Sequence, residues 1–289
     1  MNKTYKLLII LIYLTFLISC QKDKSIIEIE LNELNINSAD FTEMDTSFYE
    51  NKAIEKLRFV KSDKEDIRVF FYESGKKKSI IPVKNSQVHG ECIDWYENGK
   101  TKWKREYDYG NFVGLNERYD SLGIITNRIK YTSDGEEYTT FFKNGKPAEF
   151  NSDSVQIRYY LNNNVMSKFN KSNDSLSSIK FYNENGSLVL KGEIDYEFKL
   201  LKNKKPFSGE VIGKFMSNDT AYYFNRINGK MNGRAFFKYG NGQLQSEMYF
   251  ENGKQKGIHK SYYLNGNPRS YNDYENNISK YWNENGNEF

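Results

Sequence analysis

The sequence predicts an all-β chain, an elongated antiparallel sheet of tandem β-hairpins repeating about every 24 residues, and three observations lead there. Tyr, Phe and Trp number 23, 20 and 3, so 16% of the 289 residues are aromatic in a chain whose mean hydropathy is −0.80. A disordered chain would be poor in aromatics, a polytopic membrane protein would be less polar, and broad amphipathic rings suit pleated, half-buried strands. Glycines fall on a lattice: Gly90 and Gly114 lie 24 residues apart, and so do Gly209, Gly233 and Gly257 in succession. Asn-Gly follows aromatics again and again, as in Trp95-Tyr96-Glu97-Asn98-Gly99, Phe141-Phe142-Lys143-Asn144-Gly145 and Tyr262-Tyr263-Leu264-Asn265-Gly266.

The chain opens with an address. Lys3 and Lys6 precede an apolar stretch at 7–18 that is too short for a transmembrane helix and right for a signal-peptide core. It ends in Leu17-Ile18-Ser19-Cys20, which resembles the bacterial lipoprotein cleavage box. The resemblance implies that residues 1–19 are removed and that Cys20 is diacylated on sulfur and becomes the new N-terminus; the alternative is an ordinary signal peptide or anchor that happens to contain a cysteine. Several acyl chains hold a protein to a membrane where one would be marginal. In such lipoproteins an Asp after the cysteine retains the protein at the inner membrane, so Gln21 favours the outer membrane. With Cys20 modified, Cys92 has no intramolecular partner, and no disulfide framework is expected. Lys and Arg total 42 against 38 acids, and two of the lysines go with the leader. The mature chain is then nearly neutral, without the basic stripe of a nucleic-acid binder.

Residues 20–65 form a tether and a non-repeat segment. Ile27, Ile29 and Leu31 alternate as in a strand, and 47–58 reads as a short helix. Residues 66–289 form the repeat array. Within a unit, Asn-Gly predicts a type I′ hairpin turn, which needs φ > 0 at both central residues. Phe181-Tyr182-Asn183-Glu184-Asn185-Gly186 and Tyr281-Trp282-Asn283-Glu284-Asn285-Gly286 carry one extra residue and predict a longer loop. The stretch 138–208 is degenerate, with an insertion around 187–206. Single hairpins are barely stable, so the units must share strand pairing and a continuous aromatic face. A sheet one layer thick, with its other face in water, accounts for the low hydropathy.

Written as Gly-x-x-x-x-Trp/Tyr-Tyr-x-Asn-Gly-Lys, then a strand, then Tyr-x-x-Gly-x-x-x-Gly, the unit resembles the MORN-repeat variant family, most sharply at 90–114 and 233–266. The resemblance implies consecutive antiparallel hairpins. Some bacterial relatives are antitoxin components of toxin–antitoxin modules and others are exported lipoproteins. A weaker resemblance, to choline- and glucan-binding hairpin repeats, is set against by the presence of only 3 Trp.

No catalytic constellation is legible. His89 and His259 lie far apart in a linear array, Cys92 reads as a buried structural thiol, and the carboxylates follow the turns instead of converging. No nucleotide or nucleophile-elbow motif is present. No enzyme activity, cofactor or metal site is expected, and no nucleic-acid partner. Most aromatics are expected to line the shared face, leaving Trp95, Trp103 and Trp282 as candidates for an exposed binding groove. The expected function is a lipid-anchored, non-catalytic binding or scaffold module of the cell envelope whose ligand is a protein or an envelope glycan. The alternatives are an antitoxin or immunity protein and a carbohydrate-binding surface lipoprotein.

Overall fold

The computed structural model describes residues 40–172 and 176–289. The leader, Cys20 and the alternating segment at Ile27, Ile29 and Leu31 lie outside the described residues. Among those described there are 25 β-strands, divided between two compact units that split at Cys92 and Ile93.

The first unit holds β1 (Glu43–Phe48), β2 (Ile54–Ser62), β3 (Glu65–Phe71), β4 (Lys77–Lys84) and β5 (Gln87–Val88), and β6 (Gly90–Trp95) runs through the division. From β1 to β5 each strand pairs antiparallel with the next. Leu57, Phe59, Val69 and Phe71 form a small core, with Phe41, Ile54, Ile67 and Ile80 packed on it. Hairpin geometry begins at β1, which corrects the helix expected at 47–58. Tyr49 and Ala53 close a turn in which Lys52 takes the left-handed conformation, φ 68°, and Asn51 Oδ1 accepts the Ala53 N–H. A lysine where other units carry glycine hid this hairpin in the sequence.

The second unit continues with β7 (Thr101–Asp108), β8 (Asn111–Tyr119), β9 (Ile125–Thr132), β10 (Gly135–Phe141), β11 (Pro147–Asn151), β12 (Val155–Tyr159), β13 (Val165–Asn170), β14 (Ser177–Tyr182), β15 (Leu188–Ile194), β16 (Leu200–Lys202) and β17 (Lys205–Pro206). A second sheet follows: β18 (Gly209–Lys214), β19 (Thr220–Ile227), β20 (Lys230–Met231), β21 (Gly233–Lys238), β22 (Leu244–Glu251), β23 (Lys254–Tyr262), β24 (Pro268–Asp273) and β25 (Ile278–Tyr281). From β7 on, within each sheet the pairing is antiparallel between strands that follow one another, except that β21 skips β20 and pairs with β19, which holds both.

Two kinds of turn alternate, and their assignment reverses the expected one. At Tyr96 the N–H donates to Lys100 O and the Gly99 N–H to Tyr96 O. That is a three-residue loop in which only Gly99, φ 81°, is left-handed, while Asn98 Oδ1 accepts the Lys100 N–H. Type I′ turns sit at the other end of the hairpins, where Asn252-Gly253 (φ 50° and 82°) and Asn228-Gly229 (φ 49° and 79°) connect strands directly. The longer loops expected after 181 and 281 are also absent. Asn183 and Asn283 close the same three-residue loop onto Ser187 and Asn287, so the loop starts one residue later, on Asn instead of on an aromatic. The lattice glycine Gly114 lies within a strand and not at a turn. At φ 58° it makes a bulge opposite the register shift between Lys104 and Glu106, where a Cβ would overlap the Glu106 carboxylate.

The aromatic-x-Asn-Gly motif also ties consecutive turns together. Tyr49 donates its hydroxyl to Phe71 O, Tyr96 to Tyr119 O, Tyr160 to Tyr182 O and Tyr239 to Tyr262 O, at 2.7–2.9 Å. Each acceptor is 22 or 23 residues on, at the end of the strand that leads into a following turn. Asparagine amides do the same, Asn98 to Ser121 O and Asn265 to Glu284 O. These cross-turn bonds hold the period.

In the second unit the expectation of a single layer is corrected. One core contains Tyr160, Met166, Phe181, Leu190, Ile194 and Leu200 from the first sheet with Val211, Ala221, Tyr222, Phe224 and Ala235 from the second. The two sheets also meet through their three-residue turns. Glu184 N donates to Lys214 O, Lys214 N to Asn183 Oδ1 and Met216 N to the Glu184 carboxylate, all within 2.9 Å. Further along, Leu161 N donates to Gly240 O, and Arg118 pairs with Glu284 at 2.6 Å. The chain folds back through the inserted region around 187–206, so repeats distant in sequence cover one another.

Candidate functional site

An aromatic doublet on a strand sends one ring to each face, because side chains alternate. Tyr222 and Phe237 turn into the core and stack at 6.3 Å, while their neighbours Tyr223 and Phe236 stack at 6.1 Å on the opposite, solvent-facing side. On that side the register lines up a row across the second sheet: Ile212 beside Tyr223, then Phe236, Glu247, Lys260, Tyr271 and Lys280. A second row sets Arg234 beside Tyr249 and Tyr249 beside Lys256. Tyr249 is 50% exposed and Ile258 44% exposed.

Between the rows lies a shallow depression of about 230 Å³, lined by Arg234, Glu247, Met248, Tyr249, Ile258 and Lys260. The Arg234 guanidinium stands 5.0 Å from the Phe236 ring centre and pairs with Glu247 at 2.7 Å. Lys256 pairs with Glu251, whose hydrogen bond raises the lysine pKa and whose own carboxyl is lowered by the same bond. Lys254 and Lys260 have no ion-pair partner among the described residues. Tyr223 donates its hydroxyl to Glu210, and that bond, then burial, raises its pKa. The surface is therefore open and ring-bearing, with Lys254 and Lys260 as cations outside its ion pairs. Sequence reasoning missed it because the doublets were read as core, and only the pairing register shows which ring of each doublet faces water.

The tryptophans are all half-buried. Trp103 on β7 lies opposite Arg118 on β8, and the Arg118 and Arg105 guanidinium carbons stand 5.4 and 5.8 Å from its ring centre. Arg105 is paired with Asp94 and Arg118 with Glu284, two residues beyond Trp282. The fold thus links Trp103 to the turn after Trp282 through Arg118. The Trp282 carbonyl accepts the Tyr263 hydroxyl at 2.8 Å. Beside this cluster Asn127 donates to the Tyr138 hydroxyl, and burial, with Glu284 adding to it, raises the Tyr138 pKa. On the opposite face of β8, burial and then a hydrogen bond to Glu117 push Tyr119 up to about 12.

Cys92 is buried and unbridged. His259 is half-buried, which lowers its pKa. Among the described residues no group of three or more His, Cys, Asp or Glu is placed to hold a metal ion, and no helix is long and apolar enough to cross a membrane.

The family model of the MORN repeat variant matches residues 67–85, 231–252 and 255–276. Those three segments are similar to the MORN repeat variant. Each matched segment contains a three-residue turn that starts on a tyrosine: Tyr72, Tyr239 or Tyr263. No curated protein matches the chain. Solved structures that it resembles include the TcdB2–TccC3 crystal structure, at 10% identity and a TM-score of 0.17, and the TcdB2–TccC3–Cdc42 crystal structure, at 9% and 0.15. The alignments cover 85% and 80% of this chain but only 16% and 15% of those chains.

Proposed function

We propose that the chain is an exported, lipid-anchored repeat protein that binds a protein or an envelope component without catalysing a reaction. The solvent-facing rows on the second sheet support the binding role: half-exposed rings interleaved with lysine and arginine form a broad surface, with the core sealed behind it. The box at Leu17-Ile18-Ser19-Cys20 supports the anchor, and Gln21 favours the outer membrane.

The two halves of this reading are tested separately. Radiolabelled palmitate should enter the wild-type chain and not Cys20→Ala; label in the variant would refute acylation at Cys20. A chain begun at Gln21, with neither leader nor acyl groups, should still sediment with isolated envelope fragments. Adding Tyr249→Ala and Lys260→Glu should release it, and equal sedimentation would show that binding does not use the second sheet.

A further inference from the structure

We infer that the solvent-facing side of the β18–β25 sheet docks an acidic polysaccharide, a chain of pyranose units bearing carboxylates. This rests on the binding reading and names the chemistry of its partner. Three features select it. The first is shape: the face is open, with a shallow depression of about 230 Å³ between its rows, so it suits an extended polymer lying across strands. The second is spacing. Rings and charges follow one another strand by strand along the row from Tyr223 to Lys280, and neighbouring strands lie ~4.8 Å apart, which is roughly the length of one pyranose unit. An extended peptide advances only ~3.3 Å per residue and would fall out of step with that row.

The third is chemistry. The C–H face of a pyranose covers the half-exposed Tyr249 ring, while Arg234, held over Phe236, and Glu247 offer donors and acceptors to hydroxyls. Lys260 and Lys254, which lack ion-pair partners among the described residues, meet carboxylates. Cations exceed acids on the surface by one: Arg234, Lys254, Lys256, Lys260 and Lys280 stand against Glu210, Glu247, Glu251 and Glu288, and Lys254 and Lys260 are the two outside the ion pairs.

The test uses the detergent-solubilised mature protein and purified polygalacturonate, with neutral dextran and a single-stranded DNA oligonucleotide as comparators, followed by calorimetry. Polygalacturonate should bind, more weakly as salt rises, and dextran should not. Lys260→Glu should weaken binding about tenfold, a loss of roughly 1.4 kcal/mol, and Tyr249→Ala should also weaken it. Lys143→Glu, the same charge change on an exposed turn of the other sheet, should leave it unchanged. Both surface residues are exposed, and unchanged melting temperatures would confirm that the variants fold. The inference is overturned by equal binding of dextran, by equal loss in Lys143→Glu, by tighter binding of DNA, or by no binding of polygalacturonate. If envelope fragments still bind when polygalacturonate does not, only the polymer assignment fails. If neither binds, the binding reading fails with it.

Discussion

Asp66 shows what burial demands of a single charge. It is 7% exposed, and burial alone would raise its pKa. Hydrogen bonds from Arg68 at 2.8 Å and Arg58 at 3.1 Å outweigh that penalty and hold the carboxyl below its ordinary 3.8. A carboxyl with a lowered folded pKa gives stability that is complete above the unfolded value and is lost as pH falls through the folded one. Asp66→Asn should therefore cost about 1.5–3 kcal/mol at pH 7, the range for hydrogen bonds to charged groups. The wild type should lose that advantage progressively as pH falls below the ordinary 3.8, which urea unfolding at several pH values would show. Glycine supplies a second residue-scale case. Gly99 and Gly242 sit at φ 81° and 88°, with open space around the missing Cβ. Gly99→Val or Gly242→Val should destabilise by about 1–3 kcal/mol through backbone strain alone, and an unchanged melting temperature would contradict the turn geometry.

At the scale of elements, much of the array was legible because each hairpin repeats one chemical sentence. An aromatic opens the loop, asparagine closes it with its own side chain, glycine supplies the left-handed residue, and a tyrosine hydroxyl reaches the next turn. Where the sentence is reworded, the sequence misleads. Lys52 replaces glycine after Phe48-Tyr49 and the hairpin reads as a helix; Asn183 and Asn283 replace the opening aromatic and the loop reads as longer. The turn types were exchanged because Asn-Gly occurs in both, and only the dihedral angles of the residue before glycine separate them. The tyrosine link makes its own prediction. Tyr239 is 8% exposed and gives its hydroxyl to Tyr262 O, so Tyr239→Phe should cost about 0.5–1.5 kcal/mol and speed amide exchange in the adjoining turn, at Gly266. Equal exchange in wild type and variant would show that the hydroxyl does not couple the turns.

At the scale of the molecule, the covering of one sheet by another in the second unit was not legible, because periodicity reports which strands are neighbours along the chain and is silent about which faces meet. The same silence hid the solvent-facing row: once Tyr222 and Phe237 turn into the core, Tyr223 and Phe236 must face away from it. The joint between the layers is tightest at Gly240. Its carbonyl accepts the Leu161 N–H at 3.1 Å, and a Cβ there would sit 2.5 Å from Tyr160 Cα and closer still to Tyr159 O. Both neighbours are backbone, so no rotamer change relieves the clash, and Gly240→Ala must push the turns apart. Tyr160, fully buried beside this joint, would gain access to water, and burial is what holds its phenol pKa above the usual value of 10. Gly240→Ala should therefore lower the melting temperature, speed exchange of the Leu161 amide and bring the Tyr160 ionisation down toward 10 in an alkaline absorbance titration. A variant that keeps wild-type melting, exchange and titration would show that the layers do not close through these turns.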